Sequence, residues 1–296
     1  MSDETLEKTF TVPAPACLNL SNIRGSVEIR PGADGVIRVT AIKRADTGDA
    51  RNTEIEMEQR GDGTVVVAAR FPDGWWSWLL FSQPCKVDFL VTLPREAEVK
   101  LNGVSNRVFV EGLTGKVDIN TVSGDVSLQN VEGRLKVKSV SGDVSAAHCA
   151  GALELTTVSG NVDFREARLA SLSAHTTSGD LGFETGLREG PYRFHSVSGN
   201  VTLSLPQGTP CSAQLRSVSG RIHGESPMTT RSLGHGGHHV EIFGGGIPVE
   251  AQSVSGDLRL RVSASLPAAS ANRREVLEQL ARGEISPDQA LAGLKD

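Results

Sequence analysis

Aromatic side chains are scarce in this chain: nine Phe, three Trp and one Tyr among 296 residues. A core without many rings has to be filled by small branched side chains. Together with 32 glycines, that favours short strands joined by tight turns. No apolar run approaches the ~20 residues that span a bilayer. The opening MSDETLEKTF shows no basic stretch followed by an apolar one, so the sequence as it stands reads as cytoplasmic, without signal peptide or transmembrane segment. Basic tracts are missing too. With 30 basic against 35 acidic residues and a formal net charge of −5, there is no electrostatic footprint for nucleic acid. Cys17, Cys85, Cys149 and Cys211 never approach C-x-x-C spacing, which excludes a zinc ribbon or redox pair and leaves four reduced thiols expected to pack as small hydrophobes.

What the chain has instead is one phrase in many copies. TVSGDVSL, SVSGDVS, TVSGNVDF, TTSGDLGF, SVSGNVTL, SVSGRIHG and SVSGDLRL align on Gly124, Gly142, Gly160, Gly179, Gly199, Gly220 and Gly256. The steps are 18, 18, 19, 20, 21 and 36 residues, the last read as two periods. An earlier copy, GVSNRVFV, places Asn106 in the glycine slot. Asn tolerates positive φ better than other side chains do, so the slot is read as a left-handed corner. Residues seven and five before the glycine are apolar in copy after copy, as in Val117 and Ile119 or Leu135 and Val137. That is the alternation of a half-buried strand. A second turn is expected at Gly115, Gly133, Gly151 and Gly190.

A period near 20 residues, strands throughout and glycine at the corners describe an all-β, single-chain parallel β-solenoid, with right-handed coiling the expectation. Asp or Asn after the glycine is read as accepting local backbone hydrogen bonds. Calcium is a poor fit, because Asn161, Asn200 and Arg221 replace the acid that a cation would need. Helix-led phosphate binding fails because a Val-rich strand follows the glycine. No cofactor is called for. His175 and His195 share an outward slot, and His235, His238 and His239 cluster in LGHGGHHVE; solvated histidines are the stronger reading for both than a metal site.

Residues 1–100 read as a strand-rich cap with the first coils, 101–262 as the repeats, 263–271 as a Pro/Ala/Ser linker and 272–296 as two short helices. In the cap, GWWSWLLF gathers Trp75, Trp76, Trp78, Leu79, Leu80 and Phe81. Two readings stand for it: a hydrophobic plug over the solenoid end, or an exposed loop that meets a partner or a membrane interface as a peripheral contact. In the tail, Val276, Leu277, Leu280, Ile285, Leu291 and Leu294 fall at helical spacing. Helices this short need a partner, so self-association or docking of a protein partner is expected there.

The repeated SVSGDV phrases, preceded by KVDFLVTLPREAEVKLNGVSN, resemble the bacterial putative-adhesin β-helix family of unknown function over residues 19–262. The tail VLEQLARGEISPDQALAGL is similar to the SHOCT-like short helical hairpin. The resemblance implies an architecture, a loose link to envelope or stress-response settings and oligomerisation through the hairpin; it implies no reaction and no catalytic residues. A non-catalytic interaction or scaffold protein is therefore the leading expectation. The rivals are a β-helix carbohydrate-active enzyme and a bactofilin-like self-polymerising protein. The outward column Asn120, Lys138, Thr156, His175, His195, Arg216 and Gln252 is the expected binding face.

Overall fold

The computed structural model of the chain describes residues 3–71, 84–188, 190–224, 228–234, 237–242 and 244–263. The period-two alternation of apolar residues becomes strand, and every element among the described residues is a β-strand.

The chain opens with β1 (Glu4–Thr11) and then lays down a complete coil, β2 (Ala16–Pro31). It moves outward through β3 (Val36–Arg44) and β4 (Glu54–Gln59) and returns through β5 (Val65–Arg70) and β6 (Lys86–Leu93). β5 and β6 pair in parallel with the two halves of β2. β3 runs antiparallel to β6 and β1, and β4 antiparallel to β5, which covers this end. β7 (Glu96–Glu111) then takes the other side of β2, in register from Ala16–Ala97 to Ile29–Val110.

From here the coils rise in sequence order. β8 (Thr114–Ser123) and β9 (Val126–Gln129) make one coil, β10 (Glu132–Ser141) and β11 (Val144–Ala147) the next. β12 (Ala150–Ser159), β13 (Val162–Ser178), β14 (Leu181–Thr185), β15 (Tyr192–Ser198) and β16 (Val201–Pro206) continue the parallel stack. The order then breaks. β17 (Cys211–Ser217) and β18 (Ile222–Gly224) are followed by an antiparallel excursion, β19 (Met228–Gly234) and β20 (Gly237–Ile242), with β20 antiparallel to β17. β21 (Ile247–Ser255) and β22 (Leu258–Ser263) pair on one side with β15 and β16 and on the other with β17 and β18. The last coil in sequence is therefore the penultimate one in space. The step from Gly220 to Gly256 is not two stacked periods: the intervening residues cap the end, and the chain folds back beneath them.

One apolar core fills the stack. Leu135, Val137, Leu153, Leu155, Leu172 and Ala174 line its long-strand side and are buried. Each Leu or Val among them contributes about 1.5–3 kcal/mol relative to leaving it exposed. The few rings are central: Phe164 and Phe183 stack at 5.3 Å between centroids, and Phe194 tilts against Phe183 at 5.6 Å. The buried Tyr192 hydroxyl donates to the Leu169 carbonyl at 2.6 Å and accepts from the Arg188 amide at 2.8 Å. Cys85, Cys149 and Cys211 are buried free thiols, and Cys17 is partly exposed.

Two further expectations are corrected here. Among the described residues there is no helix, so the expected all-β solenoid stands without the C-terminal α-helical hairpin assigned to it; residues 272–296, where Val276, Leu277, Leu280, Ile285, Leu291 and Leu294 were assigned to that hairpin, lie outside the described residues, as does the Trp75–Phe81 cluster. The second concerns Asn106. It occupies the glycine column, but the described non-glycine residues at positive φ are Asn130, His148 and Glu166. Asn106 instead turns its side chain inward, where Nδ2 donates to the Asn22 carbonyl at 2.7 Å.

Candidate interaction face

Gly124, Gly142, Gly160, Gly179, Gly199 and Gly256 have φ between +115° and +153°, a region costly for any residue with a Cβ. Sterics demand glycine as well. A Cβ at Gly124 would sit 1.9 Å from the carbonyl oxygen of Asn106, and one at Gly142 would sit 2.4 Å from that of Gly124. Gly220 lacks the positive φ, yet its Cβ would approach the Gly256 oxygen to 2.1 Å. Gly115, Gly133 and Gly151 form a second column of the same kind, each against the coil before it; Gly190 is different, with only ordinary contacts to Tyr192 and Ile247. A third corner, at Gly112, Asn130, His148 and Glu166 with φ from +47° to +69°, escaped the sequence reading because its residue types vary.

The residue after the corner builds a ladder between coils. The amide of Asp143 donates to Asp125 Oδ1 (3.1 Å), Asn161 to Asp143 (2.7 Å), Asp180 to Asn161 (3.2 Å), Asn200 to Asp180 (2.7 Å), Asp257 to Asn200 (3.2 Å) and Arg221 to Asp257 (3.0 Å). These bonds run between coils and not within the turn. The Arg221 amide, with His223 and Arg259, also holds the Asp257 carboxyl below the usual carboxylate range.

With residues seven, five and three before the corner facing inward, those at six, four and two face out. Three columns result. The first alternates in charge, Lys100, Asp118, Lys136, Glu154, and carries the Lys136–Glu154 and Arg193–Glu250 ion pairs at 2.7 and 3.4 Å. The Lys136 contact lowers the Glu154 pKa.

The second column is the one expected from sequence. Its order in space is Asn102, Asn120, Lys138, Thr156, His175, His195, Gln252 and Arg216. It contains no acid. His175 and His195 stack with parallel rings 4.7 Å apart, and burial, then His175 and Arg193, push the His195 pKa down, with Glu250 opposing. Parallel stacked rings do not aim their nitrogens at one point, and among the described residues no group of three His, Cys, Asp or Glu is placed to hold a metal. His238 and His239 are separate, on β20, with His239 Nε2 3.4 Å from Glu241, and His235 lies outside the described residues. Between the histidines, Thr156, Val158, Val197 and Arg216 lies a shallow open groove of about 470 Å³.

The third column is an exposed valine ridge: Val104, Val122, Val140, Val158, Val197, Val254 and Val218 in spatial order, each 41–82% exposed, with Thr177 the single polar step. The valine of the SVSG phrase carries no role of its own in the sequence reading. Its parity with the two outward columns was the signal that could have found it.

Several solved structures are distantly similar to the chain. A putative adhesin from Bacteroides fragilis is 14% identical, with 87% of this chain and 97% of that one covered and a TM-score of 0.48. A putative adhesin from Parabacteroides distasonis is 11% identical, covering 88% and 97%, with a TM-score of 0.46. A putative lipid binding protein from Parabacteroides distasonis is 12% identical, covering 88% and 96%, with a TM-score of 0.39. No curated protein matches the chain. The Toastrack DUF4097 family model matches residues 18–261, nearly the whole of the stacked coils, and the chain belongs to that family.

Proposed function

We propose that the protein is a non-catalytic, adhesin-like interaction scaffold whose binding face is the outward side of the long strands. The observation that carries this reading is the valine ridge. A line of half-exposed aliphatic side chains on a rigid sheet has no role in the monomer's core, and contiguous apolar surface of this kind marks interaction sites. The flanking acid-free column adds charge selectivity for a partner.

The enzymatic rival draws little support from the groove. It is shallow and open, and Phe164, Phe183, Tyr192 and Phe194, the rings that could have served as sugar platforms, are buried in the core. The filament rival is disfavoured by the antiparallel strands laid on β5, β6 and β17, which occupy much of the edge that end-to-end growth would need.

Site-specific photocrosslinking in producing cells tests the reading. A benzophenone amino acid at Val140 or Val158 is expected to yield macromolecular adducts, whereas the same group at Ser145, outward on a short strand, is not. Equal adducts from both faces, or none from the ridge, would remove the reading.

A further inference from the structure

The face just described is not symmetric across its ridge. On one side, four residues before the corner, lies the acid-free column with Lys138, His175, His195 and Arg216. On the other side, just past the corner, lies the ladder with Asp125, Asp143, Asp180 and Asp257, with Arg107 and Arg221 in the same slot at its two ends. Over the coils from Asp125 to Asp257, a basic flank, an apolar ridge and an acidic flank thus run in parallel along the stack.

Such a surface is complementary to itself in one orientation. Rotation by half a turn about the ridge direction brings ridge against ridge and sets the basic flank of each copy over the acidic flank of the other. Rotation about an axis across the ridge would set acid on acid and base on base. We infer that the partner of this face is a second copy of the chain, bound in parallel along the valine ridge with Lys138 and His175 of each copy facing Asp143 and Asp180 of the other. This rests on the reading of the face as a binding surface and supplies its partner.

The dimensions suit a dimer. Eight coils from Val104 to Val218 at ~4.8 Å each give a ridge about 34 Å long. With the flanking columns covered as well, a strip about 20 Å wide buries roughly 700 Å² on each copy, close to the ~800 Å² per partner of a stable specific interface. The ridge supplies the apolar centre and the two flanks a polar rim, which is the usual anatomy of such contacts.

Light scattering on the full chain across a concentration series tests the assembly. A twofold rise in mass is expected, abolished by Val140→Glu; unchanged thermal unfolding of that monomeric variant would show that the loss is not misfolding. Orientation is read by disulfide trapping in a Cys17→Ser background. Val122→Cys and Val254→Cys, near opposite ends of the ridge, are each expected to crosslink to themselves when present alone. A crosslink only in a mixture of the two variants means an antiparallel pair and overturns the proposal. A monomer at every concentration without self-crosslinks also overturns it, including the case where carbene footprinting finds the ridge covered by another part of the same chain. Photocrosslinks from Val140 to a different macromolecule, with the chain monomeric, would sink the dimer and leave the binding face standing; a dimer without ridge adducts forms through another surface and overturns both.

Discussion

The amide of Arg221 donates to Oδ1 of Asp257, a residue 36 positions later in the chain that lies in the coil directly beneath it. Arg221 is the last member of the ladder in space, although Asp257 follows it in sequence. Among the described residues no strand pairs the outer side of β18, so no further amide waits for an acceptor at this position. Arg replaces Asp or Asn where the ladder ends.

The ladder predicts a positional effect. Asn161 Oδ1 accepts from the Asp180 amide, so Asn161→Ala, which keeps the backbone donation to Asp143, should cost about 1 kcal/mol through the lost acceptor. Arg221→Ala removes no acceptor and should stay within about 0.5 kcal/mol. Urea unfolding midpoints of the two variants check the contrast.

Glycine substitutions separate steric need from turn preference. Gly142→Ala places a Cβ 2.4 Å from a backbone oxygen at φ +122°, and a loss of about 3 kcal/mol or more is expected. Gly61 has nothing within 4 Å of its Cβ position and no positive φ, so Gly61→Ala should be neutral or stabilising by up to about 1 kcal/mol. Thermal unfolding distinguishes them.

His195 supplies a pH dependence. Its pKa in the folded chain lies below the ordinary 6.5, through burial first and then His175 and Arg193. The unfolded chain therefore binds that proton more readily. Stability attributable to His195 should be constant above about pH 6.5 and fall as the pH drops through 6.5 toward the lower folded value. His195→Asn should flatten this slope in denaturation midpoints measured between pH 7.5 and about 5; an unchanged slope would refute the assignment.

The thiols should differ in reactivity. Burial pushes Cys211 up to about 12, and Cys85 and Cys149 are buried as well. Only Cys17, partly exposed, is expected to react rapidly with a disulfide reagent under native conditions, the other three following on unfolding. Mass spectrometry of the labelled chain gives the order.

Much of the frame could be read from residue types. Inward stripes such as Val117, Leu135 and Leu153 share a slot in every coil because burial tolerates only apolar side chains there. The same chemistry made Asn106 misleading: in the glycine slot an amide suggests positive φ, whereas here it supplies a buried hydrogen bond to Asn22. Local spacing also could not reveal that coil 247–263 inserts below coil 211–224, because both carry the same phrase and only the excursion between them decides the order. The third corner stayed hidden for the opposite reason. Asn130, His148 and Glu166 share a backbone shape but no side-chain type. The expected helical hairpin has no counterpart among the described residues, which form strands alone.

The two ends of the stack share a construction. At the start of the chain β2 lies between β6 and β7, and at the finish β21 lies between β15 and β17. Neither terminal turn of the spiral is outermost, so the molecule cannot lengthen by duplication at its termini without displacing a strand already hemmed in on both sides. Growth or loss of whole turns is open only to the interior, between about residues 114 and 185, where neighbours in space are neighbours in sequence. A family built this way would vary in height through its middle while keeping both of its sewn-in ends.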